Sequence, residues 1–272
     1  MINIEKSHMR MGKNEFVSKC QFADINKNET EFLFKEIFEA RIYLQNHLTL
    51  NSDAVVFDIG ANIGVFSFFV FTYCKDARVF AFEPIPEIFE VLKANARQLN
   101  WNIELFNAAV SDSAKNLEFT YYPKSSLQSS CYANIDKNRK LLKASALYQQ
   151  KELGLSVNNY LLDKLIESKL ESNKVTCLSV TISEIIKECR VENIDLLKID
   201  VEGSECDVIQ GVKSEDWNKI KQVVVEIDNN KNIALIDDVL SQHGFRTKKQ
   251  YYKPLLGTTV CMLYASKRQS LN

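Results

Sequence analysis

A short apolar run that ends in an acid and passes into a glycine turn restricts the fold more than any other part of the sequence. The run is Ala54-Val55-Val56-Phe57-Asp58, and Gly60 and Gly64 follow it. A continuous apolar run of this length indicates a strand that is buried on both faces, as in a parallel sheet. The glycines permit a tight turn, close approach of the backbone to a ligand, and entry into a helix at residues 65–73.

The same alternation of apolar strands and helical segments recurs along the chain. Helical periodicity separates the strands, for example over residues 84–99. Strands that alternate with helices predict an α/β, doubly wound, Rossmann-like fold, with a mostly parallel sheet and helices on both faces. Further strands are predicted at 78–83, 103–110, 117–121, 175–178, 194–200 and 222–228, with one or two closing antiparallel strands within 245–265.

No Gly-, Ser- or Pro-rich stretch divides the chain. Residues 1–50 are predicted to form an N-terminal helical segment or cap, because apolar residues recur at helical spacing over 29–46. Residues 51–272 are predicted to form the main domain, with a helical insert at about 124–172. The polar start of the insert, residues 124–130, is interpreted either as a surface connection or as a lid over the site.

The composition excludes several function classes. Lys and Arg number 34 against 35 Asp and Glu, a balance that gives no reason to expect nucleic-acid binding. The seven cysteines form no CxxC pair, so we expect reduced thiols in a cytoplasmic protein rather than a zinc site or disulfides. The most apolar stretch, residues 63–73, is too short to span a bilayer, and no membrane partner is expected.

The residues that follow the first two strands indicate a nucleotide-type ligand, since ligands bind beyond the carboxyl ends of strands in open α/β sheets. Asn62 and Val65 break the glycine fingerprint of dinucleotide-binding enzymes. Asp58 carries a carboxylate that suits the ammonium of S-adenosylmethionine (SAM). Glu83 ends the second strand, where an acid accepts hydrogen bonds from ribose hydroxyls. The alternative interpretation of such strand-end acids is that they are solvated or cap the next helix.

Four segments, in the same order and at similar spacing, resemble the FkbM-type methyltransferases over about residues 30–265. They are 56–64, 81–86, 109–112 and 197–205. Other stretches are similar to the subgroup found within or beside polyketide synthases and nonribosomal peptide synthetases, namely 34–39, 216–226, 257–259 and 263–265. The chain departs from that subgroup at Gly203, where Lys is frequent, and at Asp228, where His is frequent.

The resemblance implies the class I methyltransferase fold, with a seven-stranded sheet, and SAM as the cofactor. It implies that Asp200 and Glu202 face the crevice where cofactor and acceptor meet. No metal is expected, although carboxylates at strand ends could bind Mg²⁺. The residues expected at the cofactor are Asp58, Gly60, Asn62, Gly64, Glu83, Pro84, Ala108, Ala109, Asp112 and Asp200, with Ala108, Ala109 and Asp112 near the adenine.

Together these patterns predict an O-methyltransferase of natural-product biosynthesis that acts on a hydroxyl, enol or carboxyl group. The expected acceptor is a small molecule, free or bound to a carrier protein. A base that removes the acceptor proton assists such a transfer. The candidates are Asp200, Glu226 and Asp228 at strand ends, and His47, which the preceding helix is expected to bring over the site.

Three alternatives stay open at the level of sequence. The first is methyl transfer to nitrogen, or to a sugar or another free metabolite. The second is a cofactor-binding assembly module without turnover. The third is a nicotinamide-dependent dehydrogenase, against which the broken glycine fingerprint counts. The sequence defines neither the acceptor nor the oligomeric state.

Overall fold

Strands and helices alternate over much of the computed structural model, which describes residues 22–152, 154, 158–227, 230–251 and 261–267. In chain order the strands are β1 (Val55–Ile59), β2 (Arg78–Phe82), β3 (Ile103–Phe106), β4 (Ala109–Val110), β5 (Asn116–Tyr121), β6 (Asn173–Val180), β7 (Leu196–Ile199), β8 (Gln222–Ile227), β9 (Phe245–Tyr251) and β10 (Cys261–Lys267). The α-helices are α1 (Lys27–Phe34), α2 (Val65–Tyr73), α3 (Pro86–Gln98), α4 (Ile135–Glu152), α5 (Asn159–Lys169), α6 (Ile182–Glu188), α7 (Glu205–Gln210) and α8 (Asn230–Gln242).

Seven of the strands form one sheet in the order β3-β2-β1-β7-β8-β10-β9. β3, β2, β1, β7 and β8 are parallel, and β10 lies antiparallel between β8 and β9. The chain starts in the middle of the sheet at β1, builds outward to β3, and returns to the other side of β1 with β7. This order confirms the predicted doubly wound, mostly parallel seven-stranded sheet and places a crevice beside β1, where the strand order reverses.

Each face of the sheet has its own core, because successive side chains of a buried strand point to opposite faces. On β1, Val56 packs into one core cluster and Phe57 into the other, and both are fully buried. The first cluster includes side chains of α2 and α3, and the second includes side chains of α6, α7 and α8. The prediction of helices on both faces is therefore confirmed.

The N-terminal segment covers a helix that is apolar all round. Every residue of α2 from Val65 to Val70 is buried, and a helix of that kind needs cover on each side. Phe34 and Phe38 supply the cover, with ring centroids 6.2 Å from Phe68 and 5.2 Å from Phe69, respectively. Residues 22–50 thus pack into the same core cluster as α2 and α3.

Helical structure in this segment ends earlier than the predicted residue 46. After α1 the chain makes a π-helical turn, Lys35–Glu39, and then leaves the helix. Arg41, Asn46 and His47 adopt left-handed conformations with φ of 52°, 52° and 73°, which a right-handed helix cannot contain. The apolar spacing beyond Glu39 instead comes from an irregular stretch in which Ile42 and Tyr43 are buried.

The predicted strand 103–110 is wrong as a single element, since the chain turns after Phe106. The side chain of Asn107 donates hydrogen bonds to the carbonyl oxygens of Glu83 and Pro84, at 2.9 and 3.1 Å. β4 then joins a second sheet, in the order β4-β6-β5. β6 is also longer than the predicted strand at residues 175–178.

A helical hairpin of α4 and α5 occupies the predicted insert. Leu162 and Ile166 pack on Tyr122, close to the start of the insert. Lys143 and Asp163 pair across the two helices, with 2.6 Å between Nζ and Oδ1. Among the described helices, none is both long enough and apolar enough to cross a membrane.

Candidate active site

An open crevice lies at the carboxyl ends of β1, β2 and β7. Its non-atom space totals about 960 Å³, solvent at the mouth included. Side chains of the N-terminal segment and of the loop after β5 complete its walls, so it is bounded by more than the sheet. Of the residues predicted at the cofactor, those that line it are Gly60, Asn62, Glu83, Pro84, Ala108, Ala109 and Asp200.

The glycine turn after β1 is held between two neighbouring strands. The amides of Gly60 and Ala61 donate to the carbonyl oxygen of Phe82, at 3.1 and 2.9 Å. Gly60 has φ of +75°, and a Cβ atom built on it would lie 1.8 Å from the carbonyl oxygen of Asp200. Only glycine fits here, because the backbone of β1 passes in contact with that of the chain leaving β7.

Glu83 presents a buried carboxylate at the end of β2. It is 4% exposed and accepts the amides of Asn62 and Ile85, at 3.0 and 2.9 Å, one on each oxygen. Burial raises the pKa of Glu83 to about 7, although these bonds oppose the rise. Each carboxylate oxygen has a second lone pair, so the group can still accept two further hydrogen bonds.

The wall beside Glu83 is mostly apolar. It is formed by Ile85, Ala108, Ala109 and Phe119, among other residues. A flat aromatic base fits such a wall, while Glu83 supplies acceptors at its edge. The arrangement matches a nucleoside, with the base on the apolar side and the ribose hydroxyls at the carboxylate.

Asp58 does not line the crevice, and its charge is already neutralised by a cation inside the protein. Its Oδ2 accepts the hydroxyl of Ser67 at 2.7 Å, and its Oδ1 lies 3.1 Å from Nζ of Lys198. Lys198 also donates to the carbonyl oxygen of Gly60 at 2.8 Å. Asp58 therefore stabilises the turn through Lys198 rather than facing a ligand ammonium as predicted.

Lys198 is buried within the sheet and is 3% exposed. Burial opposes its charge, but Asp58 and Asp200 raise its pKa. Nζ lies 3.7 Å from Oδ2 of Asp200. Lys198 is therefore a cation that lies between the carboxylates of Asp58 and Asp200.

Asp200 belongs to a group of polar side chains at the end of the crevice nearest the N-terminal segment. The Tyr43 hydroxyl donates to Oδ2 of Asp200 at 2.7 Å and lies 3.3 Å from Oε2 of Glu226. Burial, and secondarily the charge of Asp200, raises the pKa of Glu36 to about 8. Of the predicted bases, the structure brings Asp200 and Glu226 together, and only Asp200 lines the crevice within the described part of the chain.

The remaining predicted site residues lie elsewhere. Gly64 is the N-cap of α2, and its φ of +92° is a left-handed conformation that favours glycine. Asp112 bonds Ser111, Ser113 and Lys115, and the hydrogen bond from Lys115 lowers its pKa. His47 is exposed and does not line the crevice, because the helix expected to carry it over the site ends at residue 39. Asp228 lies outside the described residues.

The loop after β5 spans the crevice. The amide and hydroxyl of Ser126 donate to Oε2 of Glu29 in α1, at 3.1 and 2.7 Å. On the opposite side, the Ser130 hydroxyl donates to the carbonyl oxygen of Glu202 at 2.6 Å. Ser126, which is buried, and its neighbour Leu127 line the crevice. These contacts favour the interpretation of residues 124–130 as a lid over that of a surface connection.

Sequence reasoning missed Tyr43 as a site residue. It lies 157 positions from Asp200 in the chain, and no spacing rule relates two residues so far apart. Its apolar neighbours Ile42 and Leu44 made it look like part of a helical core face. The one available signal was a polar hydroxyl within that apolar pattern, since a buried tyrosine hydroxyl usually has a partner.

Comparison with known proteins agrees with this geometry. A family model described as the methyltransferase FkbM domain matches residues 58–247. The chain is 33% identical over 249 residues to the 31-O-demethyl-FK506 methyltransferase FkbM of Streptomyces tacrolimicus, covering 90% of this chain and 93% of that protein. It is 34% identical over 251 residues to the AMB antimetabolite synthetase AmbE of Pseudomonas aeruginosa, where the match covers 89% of this chain. The chain spans only 12% of the length of AmbE.

Among solved structures, a methyltransferase FkbM from Methylobacillus flagellatus superposes with a TM-score of 0.51 at 14% identity. The superposition covers 92% of this chain and 58% of that one. At this identity the likeness shows the fold alone, and it agrees with the strand order described above.

Proposed function

The chain belongs to the FkbM family of SAM-dependent methyltransferases, and from that membership we propose that it methylates an oxygen atom of a natural-product intermediate. The acceptor group is a hydroxyl, an enol or a carboxyl. The observation that carries the proposal is Asp200, a carboxylate in the wall of the crevice whose Oδ2 is held by a tyrosine. Such a group can receive the proton that an oxygen acceptor loses.

The residues of the crevice fit SAM. Glu83 has two acceptor sites left for the ribose hydroxyls. The apolar wall at Ala108 and Ala109 suits the adenine, and the tight turn at Gly60 lets the methionine part approach the backbone. When bound, SAM supplies an electrophilic methyl group on a sulfonium.

The chain's own residues then align the acceptor and move its proton. Asp200 accepts the proton from the acceptor oxygen as that oxygen forms its bond to the methyl carbon. Bound SAM would supply the methyl carbon and leave as S-adenosylhomocysteine (SAH), which would keep the electron pair of the broken carbon–sulfur bond. The apolar side chains of Leu33, Ile37 and Leu127 in the walls of the crevice favour an apolar acceptor that carries the reactive oxygen.

The names of two relatives support a natural-product substrate. One is a methyltransferase of 31-O-demethyl-FK506, and the other is an antimetabolite synthetase. The proposed acceptor is therefore a small molecule, free or bound to a carrier protein, with no nucleic-acid or membrane partner. A cytoplasmic location is part of the proposal, and the six cysteines in the described ranges are free thiols, in line with it.

Label transfer tests this proposal. The protein is incubated with SAM that carries a ¹³C methyl group and with alcohols, carboxylic acids and amines, each free and as a carrier-protein thioester. We expect ¹³C in a methyl ether or ester, with the product identified by mass spectrometry and NMR. Label found only on nitrogen would overturn the oxygen assignment. No labelled product, in a protein that binds SAH, would favour a module without turnover.

A further inference from the structure

Tyr43 is fixed in place by the segment that delivers it. After the π-helical turn, the Ile42 amide donates to the carbonyl oxygen of Glu36 at 3.2 Å. The carbonyl oxygen of Ile42 accepts the hydroxyl of Tyr264 at 2.5 Å. The Tyr43 ring packs edge-on against Phe66, with 5.1 Å between centroids, and is 4% exposed. The phenol therefore has little freedom to leave its partner.

The phenol of Tyr43 has one proton and two carboxylates in reach. Its oxygen is 2.7 Å from Oδ2 of Asp200 and 3.3 Å from Oε2 of Glu226. Since a hydroxyl donates one hydrogen bond, the shorter contact identifies Asp200 as the acceptor. Burial first, and then the charges of Asp200 and Glu226, raise the pKa of this phenol well above its ordinary value. Tyr43 is thus a neutral donor near neutral pH.

Within the described ranges, the polar side-chain contacts of the Asp200 carboxylate fall on one oxygen. Oδ2 receives the Tyr43 hydroxyl and faces Nζ of Lys198 at 3.7 Å. Oδ1 is then the oxygen that can take the proton of an acceptor. A carboxylate held by one oxygen on a rigid ring presents the other in a defined direction, which general-base catalysis requires.

We propose that Tyr43 is a positioning residue, which orients the Asp200 carboxylate toward the acceptor proton. This inference rests on the proposed function, because it gives Asp200 its role as the base. The N-terminal segment is on this account part of the catalytic machinery, although it lies before the first strand of the sheet.

Other charged groups surround Asp200. Lys198 on β7 and Glu226 on β8 belong to the sheet, Glu36 comes from the π-helical turn, and Asp58 on β1 acts through Lys198. Loss of the Tyr43 hydroxyl removes one donor and leaves these charges in place, so a change at Asp200 in that variant reports the lost hydrogen bond.

The variant Tyr43→Phe tests the proposal, with Tyr132→Phe as its matched control. Both changes remove a tyrosine hydroxyl that donates to a carboxylate, but the first bond ends on Asp200 and the second on Asp207. NMR of ¹³C-carboxyl aspartate reports the hydrogen bonding of Asp200, whose signal is the one lost in Asp200→Asn. We expect the carboxyl chemical shift of Asp200 to change in Tyr43→Phe and to stay in place in Tyr132→Phe.

Kinetics with ¹³C-methyl SAM and the oxygen acceptor that shows label transfer provide the second readout. We expect kcat to fall about 10- to 100-fold in Tyr43→Phe, the cost of one hydrogen bond to a charged group, with SAH affinity changed less than about two-fold. In the Asp200→Asn background, Tyr43→Phe should not lower kcat further, because both residues act through the Asp200 carboxylate.

An unchanged Asp200 carboxyl signal in Tyr43→Phe, or an unchanged kcat, overturns the proposal. Equal effects of Tyr43→Phe and Tyr132→Phe also overturn it, since they would indicate a structural role. SAH binding and the denaturation midpoint of each variant show whether the site is folded. If the Asp200 signal changes only in Tyr43→Phe but the wild-type protein transfers no label to oxygen, the proposed function is contradicted, while the Tyr43–Asp200 bond stands.

Discussion

Replacement of Asp200 by Asn lowers kcat for methyl transfer by about 10²- to 10⁴-fold, the range that general-base catalysis contributes. Asparagine has the same shape and can still accept the hydroxyl of Tyr43, so the loss reports the missing base. We expect SAH affinity to stay within about ten-fold of wild type, because only one of the several groups facing the ligand changes. Steady-state kinetics at saturating SAM, with SAH calorimetry on the same preparation, measures both quantities.

Asp237→Asn is the matched control for that variant. Asp237 resembles Asp200 in its partners, since it accepts the hydroxyl of Thr247 and pairs with an ammonium, that of Lys249. It lies on α8 and faces β9, away from the crevice. We expect kcat to stay within about two-fold of wild type. If Asp200→Asn retains wild-type kcat, the proton goes to another group and Asp200 is not the base.

Gly60→Ala destabilises the protein by about 3 kcal/mol or more. A Cβ atom here would lie 1.8 Å from the carbonyl oxygen of Asp200, and backbone cannot yield as the end of a side chain can. The left-handed conformation, with φ of +75°, costs a non-glycine residue about 1–2 kcal/mol, and overpacking adds about 1–3 kcal/mol. Urea denaturation gives the change in unfolding free energy, and SAH binding should be lost together with the turn.

Gly244→Ala separates the two causes. Gly244 has φ of +84°, but a Cβ built on it has no atom within 4 Å. It should therefore show only the conformational cost, about 1–2 kcal/mol, and keep its SAH affinity. If the two variants lose equal stability, close contact with the Asp200 backbone is not the reason that position 60 needs glycine.

Local patterns predicted the central sheet well because the residues that determine it are neighbours in sequence. The β1 run and the glycine turn form one strand–turn–helix unit, and α2 starts and ends at the predicted residues 65 and 73. The strand predicted at 103–110 failed for a specific reason. The Asn107 side chain bonds the chain leaving β2, and a propensity pattern does not show a side chain bonding a distant backbone.

The candidate site was only partly predictable, since much of it depends on contacts between distant segments. Glu83 could be placed at the crevice because it ends a strand next to β1. The sequence could not show that Lys198 already neutralises Asp58, or that Tyr43 reaches Asp200 from before the first strand. Those facts follow from the strand order and from the path of the irregular stretch after the π-helical turn.

The central claim is that the crevice binds SAM with Glu83 at the ribose, and a calorimetric titration with SAH tests it most directly. Burial holds the pKa of Glu83 at about 7 in the free protein. Ribose hydroxyls donate to the ionised form, so binding favours loss of the proton and affinity increases as pH rises through 7. If only the ionised form binds, affinity at about pH 7.5 should exceed that at about pH 6 by about eight-fold.

Glu83→Gln should bind SAH more weakly than wild type and without this pH dependence, since the amide does not titrate. Saturable SAH binding that strengthens with pH in the wild type, and weaker, flat binding in Glu83→Gln, is the result that we predict. The absence of SAH binding by the folded wild-type protein, or equal affinity in wild type and Glu83→Gln at both pH values, would contradict the account.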